Sequence, residues 1–212
     1  MGSKLKKRSS LQPKTGTKQE KRRFLICCED KNAAPSYFRA IKRELRFSGL
    51  KVDIDGEAGE PLKMVKKAKI RQDSAGKRRA DQGEPYDEVW CVLDVEAPQP
   101  HSSLDEALAL ARRNNIRCAL TTPCFELWLL LHQRSHTGYL TTGQAQDRMR
   151  RLNCCYTADK DINPAHFTGQ RRRDAIDRAA KLAENFPEQA HPTAKNPWTD
   201  VHILVGRLLA HT

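Results

Sequence analysis

The sequence predicts an α/β fold, a parallel sheet sandwiched by helices, with a C-terminal helical extension. Three observations predict it. Short apolar runs and amphipathic segments alternate as βαβαβαβα over residues 24–133. One of the runs, "EVWCVLDV", is almost wholly apolar, the pattern of a central strand covered on both faces. Residues 134–212 carry only helical periodicity.

Before the first element stands a basic leader, residues 1–22. Residues 1–23 hold nine Lys or Arg and one Glu, so about +8 of the formal +12 sits there and about +4 on all the rest. The leader is too polar to pack and is expected to be disordered. It has no apolar stretch, so a secretory signal is not expected. Two roles are open to it, a nucleic-acid-attracting arm and a solubilising segment.

The first strand, residues 24–28 ("FLICC"), runs into two acids, Glu29 and Asp30. A helix follows on Tyr37, Phe38, Ile41, Leu45 and Phe47, with Pro35 suited to its first turn. "LKVDI" alternates Leu50, Val52 and Ile54 as a short strand does. "GEPLKMVKKAKI" is an amphipathic helix on Leu62, Val65 and Ile70, and "RQDSAGKRRADQGEPYD" reads as a polar loop. The third strand is "EVWCVLDV". The helix in "SSLDEALALARRNN" opens with the spacing of a capping box, Ser103 with Glu106. "IRCAL" is the fourth strand, and "TPCFELWLLLHQ" a helix with Pro123 near its start. Three further helices are expected near residues 141–151, 171–186 and 198–210. They form an extension, residues 134–212, that packs on the sheet of the domain 23–133 or caps its crevice.

Seven cysteines occur, with no C-x-x-C among them, so a zinc site of the common spacing is not expected. An odd count without a secretory signal suits reduced, mostly buried thiols in the cytoplasm. The longest apolar run, "FELWLLL", is too short to span a membrane, and no membrane partner is expected.

Acids follow three of the four strands: Glu29 with Asp30, Asp94 with Glu96, and Glu126 in the first turn of the helix after the fourth. In an open α/β sheet the carboxyl ends of the strands form the ligand crevice. Two acids two apart at a strand end point the same way. Carboxylates gathered there repel unless a cation sits between them, and Mg²⁺, a hard ion that takes oxygen ligands, answers that. Each acid also has a plainer role: Asp30 as a loop acid, Glu126 as an acid favoured at a helix amino end, Asp94 and Glu96 as an ordinary strand end.

At these residues a family resemblance enters. "LICCEDKNAAPSYF", "YDEVWCVLDVE", "NNIRCALTTPCFELWLLLH" and "NPWTDVHILV" together resemble the RloB-like family, which includes AbiLii-type phage-resistance proteins. A strand ending in Glu and a later one ending in D-x-D or D-x-E are similar to the Toprim (topoisomerase–primase) superfamily. The most family-specific piece is "PCFELWLLLH", and the resemblance covers residues 24–210. It implies a Toprim-like fold and a nuclease of bacterial antiphage defence that hydrolyses phosphodiesters of DNA or RNA with Mg²⁺ (or Mn²⁺). It also implies an ATPase partner protein. On it, Glu29 handles protons or shares a metal, Asp94 and Glu96 hold the metal, and Glu126 is a further acid of the crevice.

Two departures bear on that. Family members read E-G-x-x-T-E-P where this chain reads "EDKNAAP", with Asp30 for the Gly and Ala34 for the second Glu. Glu96 is one methylene longer than the usual Asp. The lost carboxylate at position 34 supports an alternative, a non-catalytic nucleic-acid-binding or scaffold subunit of such a defence complex.

Cations that suit phosphate contacts are Lys31, then Lys77, Arg78 and Arg79 of the loop, then Arg171, Arg172 and Arg173. For the loop a solvated charge run is the preferred reading. The three arginines open a helix, where cations are unfavourable; this adds some weight to a phosphate role, which stays the less favoured reading. His132, on an apolar helix, reads as a buried hydrogen-bonded histidine, with acid–base duty as the alternative. Trp90, Trp128 and Trp198 read as packing. No Gly-rich phosphate loop appears, so the chain is not itself expected to be an ATPase.

Overall fold

A computed structural model describes residues 22–57, 59–77 and 84–210. The leader up to residue 21, and Arg78 and Arg79, lie outside the described residues. Strands β1 (Arg23–Cys28), β2 (Lys51–Gly56), β3 (Glu88–Asp94), β4 (Ile116–Thr122) and β5 (Trp198–Thr199) form one sheet in the order β2-β1-β3-β4-β5. The first four are parallel, and β5 joins β4 antiparallel. The fold is thus α/β with a mostly parallel sheet, as the alternation of elements predicts.

Both faces of that sheet are covered. Along β1 the side chains alternate: Phe24, Ile26 and Cys28 go to one layer, Leu25 and Cys27 to the other, and all five are fully buried. The first layer contains α1 (Ala33–Glu44), α4 (Glu126–Leu131), α5 (Thr142–Arg151), α6 (Gly169–Ala183) and α7 (Val201–Leu209). The second contains α2 (Pro61–Gly76) and α3 (Leu104–Arg113). This split follows from handedness. The crossover through α1 leads from β1 outward to β2, whereas those through α2 and α3 lead back across the sheet, so right-handed connections place them on opposite faces. Strand order therefore reverses between β1 and β3. In open α/β sheets the carboxyl ends of the strands at such a switch point are where a ligand crevice is expected.

Glycine at the end of β2 is required by a close approach. A Cβ on Gly56 would lie 2.3 Å from Pro35 Cγ and 2.8 Å from the carbonyl oxygen of Asp30. The start of α1 thus rests directly on β2, which fixes the loop between β1 and α1.

Four details differ from the sequence expectations. Helix α2 continues to Gly76, through the first six residues of the expected loop, helped by the i,i+4 pair of Lys69 and Asp73. Ser103 makes no capping bond at α3, and its Oγ is buried without a partner. A capping box does form at α5, between Thr141 and Gln144. The expected helix from residue 198 begins as strand instead. The backbone N–H of Asp200 donates to the Leu120 carbonyl at 3.0 Å, and its carboxylate accepts from the Leu120 N–H, so β5 must run its course before α7 begins.

Candidate functional site

The end of β1 delivers Glu29, and the end of β3 delivers Asp94, to neighbouring positions at the switch point. Glu29 Oε2 accepts a hydrogen bond from the backbone N–H of Asp94 at 2.9 Å. Its Oε1 lies 3.1 Å from Nε2 of His101, in the loop after β3. The Asp94 carboxylate accepts from the Phe125 N–H at 3.0 Å, which ties the crevice to the residue before α4. Few positive charges reach these groups, and the electrostatics reflect it. Burial, opposed by the Asp94 N–H but reinforced by Glu96 and Asp30, raises the Glu29 carboxyl to about 8. Burial, and then the neighbouring Glu29, Glu126, Glu96 and Asp30, push Asp94 well above the usual carboxylate range.

Glu96 reaches the same field by a different route from the one expected. The strand stops at Asp94, so alternation does not aim Glu96. Its backbone takes the left-handed conformation, φ 69°, with its N–H on the Pro123 carbonyl at 2.8 Å. A side chain other than glycine is strained there, and such strain clusters at functional sites. The carboxylate accepts a short hydrogen bond from Thr142 Oγ1 at the start of α5.

Asp30 is a local structural acid. Its carboxylate accepts from the N–H of Asn32 at 2.8 Å and of Ala34 at 3.2 Å, capping α1 in place of a side chain at Asn32. Ala34 itself is buried in the core. Glu126 is 2 % exposed and accepts a short hydrogen bond from the Tyr156 hydroxyl. Lys160 Nζ stands 4.0 Å from the same oxygen, Oε1. Burial works against the charge of Lys160, but Glu126, Asp94 and Asp30 hold its pKa above the ordinary lysine value.

Tyr156 and Lys160 come from a tight hairpin that closes with a bridge between Tyr156 and Ile162. Lys160 sits in its turn at φ 61°. The hairpin is pinned to the crevice edge by Asn32 Nδ2, which donates to the Asp159 carbonyl at 2.6 Å. Sequence reading missed His101, Thr142, Tyr156 and Lys160. None lies on an apolar period, and the one local signal is a lysine set between acids in "ADKD".

The remaining expected residues fall in several places. Lys31 is exposed in the loop after Glu29, beside the crevice. Lys77 ends α2, where the chain returns to the start of β3, so it stands at the edge of the sheet opposite the crevice. His132 belongs to the core. Its Nδ1–H donates to the Trp128 carbonyl at 2.9 Å, Nε2 meets the Tyr37 hydroxyl at 3.3 Å, and burial lowers its pKa to about 3. Packed among Tyr37, Trp128 and Phe167, it stays neutral and away from the acids, which corrects the acid–base alternative. Arg172 is likewise spoken for: it is buried and grips both oxygens of Glu44 at 2.7 and 2.8 Å, so a phosphate role for it is corrected. Its neighbours Arg171 and Arg173 are exposed and bond to His166 and Gln170.

Among the described residues, one set of three His, Cys, Asp or Glu ligand atoms lies within 4.8 Å of one another, and it is Cys154, Cys155 and His166 rather than the crevice acids. All seven cysteines are free. No described helix is long and apolar enough to cross a membrane. Compared with known proteins, residues 24–208 match the family model described as RloB-like protein. No curated protein and no solved structure matches the chain.

Proposed function

The chain belongs to the RloB-like protein family, and on that premise we propose that its acidic crevice is a Toprim-type centre for hydrolysis of nucleic-acid phosphodiesters. One observation carries this reading: two buried carboxylates, Glu29 and Asp94, are joined across the switch point with their charge largely uncompensated. The donor set fits a hard divalent cation, because Glu29, Asp94 and Glu96 offer carboxylate oxygens only. These three would hold Mg²⁺ or Mn²⁺, with Glu126 behind them. When bound, the ion supplies neutralisation of phosphate charge and a more acidic water.

The chain's own residues do the rest. Glu29 is placed at the reacting centre to accept a proton, and a bound cation would draw its carboxyl down from the raised value of the metal-free protein. His101 Nε2, 3.1 Å from Oε1, is positioned to share that proton. Thr142 orients Glu96 through its hydroxyl. Lys31, exposed two residues past Glu29, meets a phosphate, with Arg171 and Arg173 as weaker contacts along the same molecule. The reading includes a role in antiphage defence in the cytoplasm alongside an ATPase partner, as the family resemblance implies.

A second reading has its own support. Tyr156 and Lys160 already engage Glu126, and no three crevice oxygens converge within 4.8 Å among the described residues. In that reading Lys160 replaces the metal, and the chain is a non-catalytic nucleic-acid-binding or scaffold subunit. Incubation of DNA and RNA with the chain and its ATPase partner, in Mg²⁺ or in chelator, separates the two. Cleavage lost in chelator and in Asp94→Asn supports the nuclease. Cleavage that survives Asp94→Asn contradicts it, and binding without any cleavage favours the scaffold.

A further inference from the structure

Cys154, Cys155 and His166 lie outside the acidic crevice, yet they stand at a significant place, the base of the hairpin that covers it. The two cysteines begin one leg, and Tyr156, the next residue, bonds to Glu126. The other leg returns through Ile162, paired with Tyr156, and Asn163, whose N–H donates to the Cys155 carbonyl at 3.0 Å. A short 3-10 turn, Pro164–Phe167, then presents His166. The two sulfurs are 2.7 Å apart, and one ligand atom from each of the three residues falls within 4.8 Å of the others. Cys154 is exposed, Cys155 buried and His166 half-buried, so the cluster opens to solvent on one side.

We propose that Cys154, Cys155 and His166 form a site for a thiophilic divalent cation, Zn²⁺, which staples the two legs of the hairpin. Two sulfurs and an imidazole nitrogen are the donors that Zn²⁺ prefers, and the exposed side leaves the fourth position to water. With Zn–S bonds of about 2.3 Å at tetrahedral angles, the sulfurs would stand about 3.8 Å apart, so the thiols need part by only about 1 Å. Binding releases the two thiol protons to solvent, and no oxidant is involved. The exposed Arg171 donates to Nδ1 of His166 at 3.2 Å, so the ion either displaces that guanidinium or takes the other ring nitrogen. The staple would hold Tyr156 and Lys160 over Glu126. The site itself stands whether or not the crevice is a nuclease, since it rests on other residues.

The test uses Co²⁺ as a spectroscopic stand-in on the full, reduced chain. The expected result is a thiolate-to-cobalt charge-transfer absorption that saturates at one equivalent and is abolished by Zn²⁺. It should vanish in the double variant Cys154→Ser/Cys155→Ser, weaken at least tenfold in affinity in His166→Gln, and persist in Asp94→Asn. Zn²⁺ should also slow tryptic cleavage after Lys160 about tenfold in the wild type and not in the double variant, by closing the loop that carries it. Absence of the absorption in the folded wild type, or its survival without both cysteines, overturns the site. Binding with unchanged cleavage overturns the staple.

Discussion

Glu29 and Asp94 are joined by a hydrogen bond of 2.9 Å from the backbone N–H of one to the carboxylate of the other, across the point where strand order reverses. The bond favours the charged carboxylate, but burial and the neighbouring acids outweigh it, and Glu29 ends with a pKa of about 8 against an ordinary 4.5. A carboxyl raised on folding contributes stability that is complete below its unfolded value and is lost as pH rises through its folded one. The melting temperature of the metal-free protein should therefore fall from pH 6.5 to pH 8. Buried histidines work in the opposite sense, with His132 held at about 3 and His136 and His202 lowered, and their effect fades as pH rises past the ordinary imidazole value. Glu29→Gln should make the fall shallower in that window, the remainder coming from buried Asp200, raised to about 7, and from Asp94, raised well above its ordinary value. A variant profile as steep as the wild type would show that Glu29 is not the group responsible.

Arg172 is a second case where placement decides. Replacing it with Ala should destabilise the fold by roughly 1–3 kcal/mol in urea unfolding. Most of that comes from lost packing and from a Phe167 carbonyl left without its 3.2 Å donor, since Glu44 is partly exposed and its ion pair is screened. Nucleic-acid affinity at a temperature where both proteins are folded should not change. A selective loss of affinity in Arg172→Ala would restore the phosphate role.

Gly56→Ala probes the seat of the loop that carries Glu29 and Asp30. The added methyl meets Pro35 and the Asp30 carbonyl well inside contact distance, so α1 must shift. A loss of about 1–3 kcal/mol is expected. An unchanged melting temperature would mean that the contact between α1 and β2 is loose.

Thiol reactivity should be confined. Burial pushes Cys27 and Cys118 to about 12, and raises Cys28, Cys91 and Cys124 well above the ordinary thiol value, so these thiols are inert. Cys154 is exposed. In the native protein freed of metal by a chelator a maleimide should label one cysteine quickly, at position 154, and all seven after denaturation. Rapid labelling of a strand cysteine would contradict the buried sheet.

Much of this was legible in the residues. Apolar runs bounded by turns place β1 and β3, and their last residues place Glu29 and Asp94, because strand ends in such sheets meet at the switch point. Strand β5 was not legible: two residues are too few to show a period, and it owes its existence to Asp200 gripping Leu120. The aim of Glu96 was hidden because it lies past the strand, at a left-handed φ that alternation does not describe. Tyr156 and Lys160 reach the crevice from a segment distant in sequence, so no local spacing announces them. The cluster of Cys154, Cys155 and His166 escaped for the same reason, its third member being contributed by a separate turn.

The central claim is that Glu29, Asp94 and Glu96 together hold a divalent metal ion. Thermal unfolding in chelator, Mg²⁺ and Mn²⁺ measures it directly, because an ion bound to the native state raises the melting temperature with concentration. The wild type should be stabilised by several degrees. Glu29→Gln and Asp94→Asn should be at least as stable as wild type in chelator, where a neutral amide removes the cost of burying an acid, and should lose the metal-dependent rise. A wild type indifferent to both metals, or variants that respond as it does, would contradict the account.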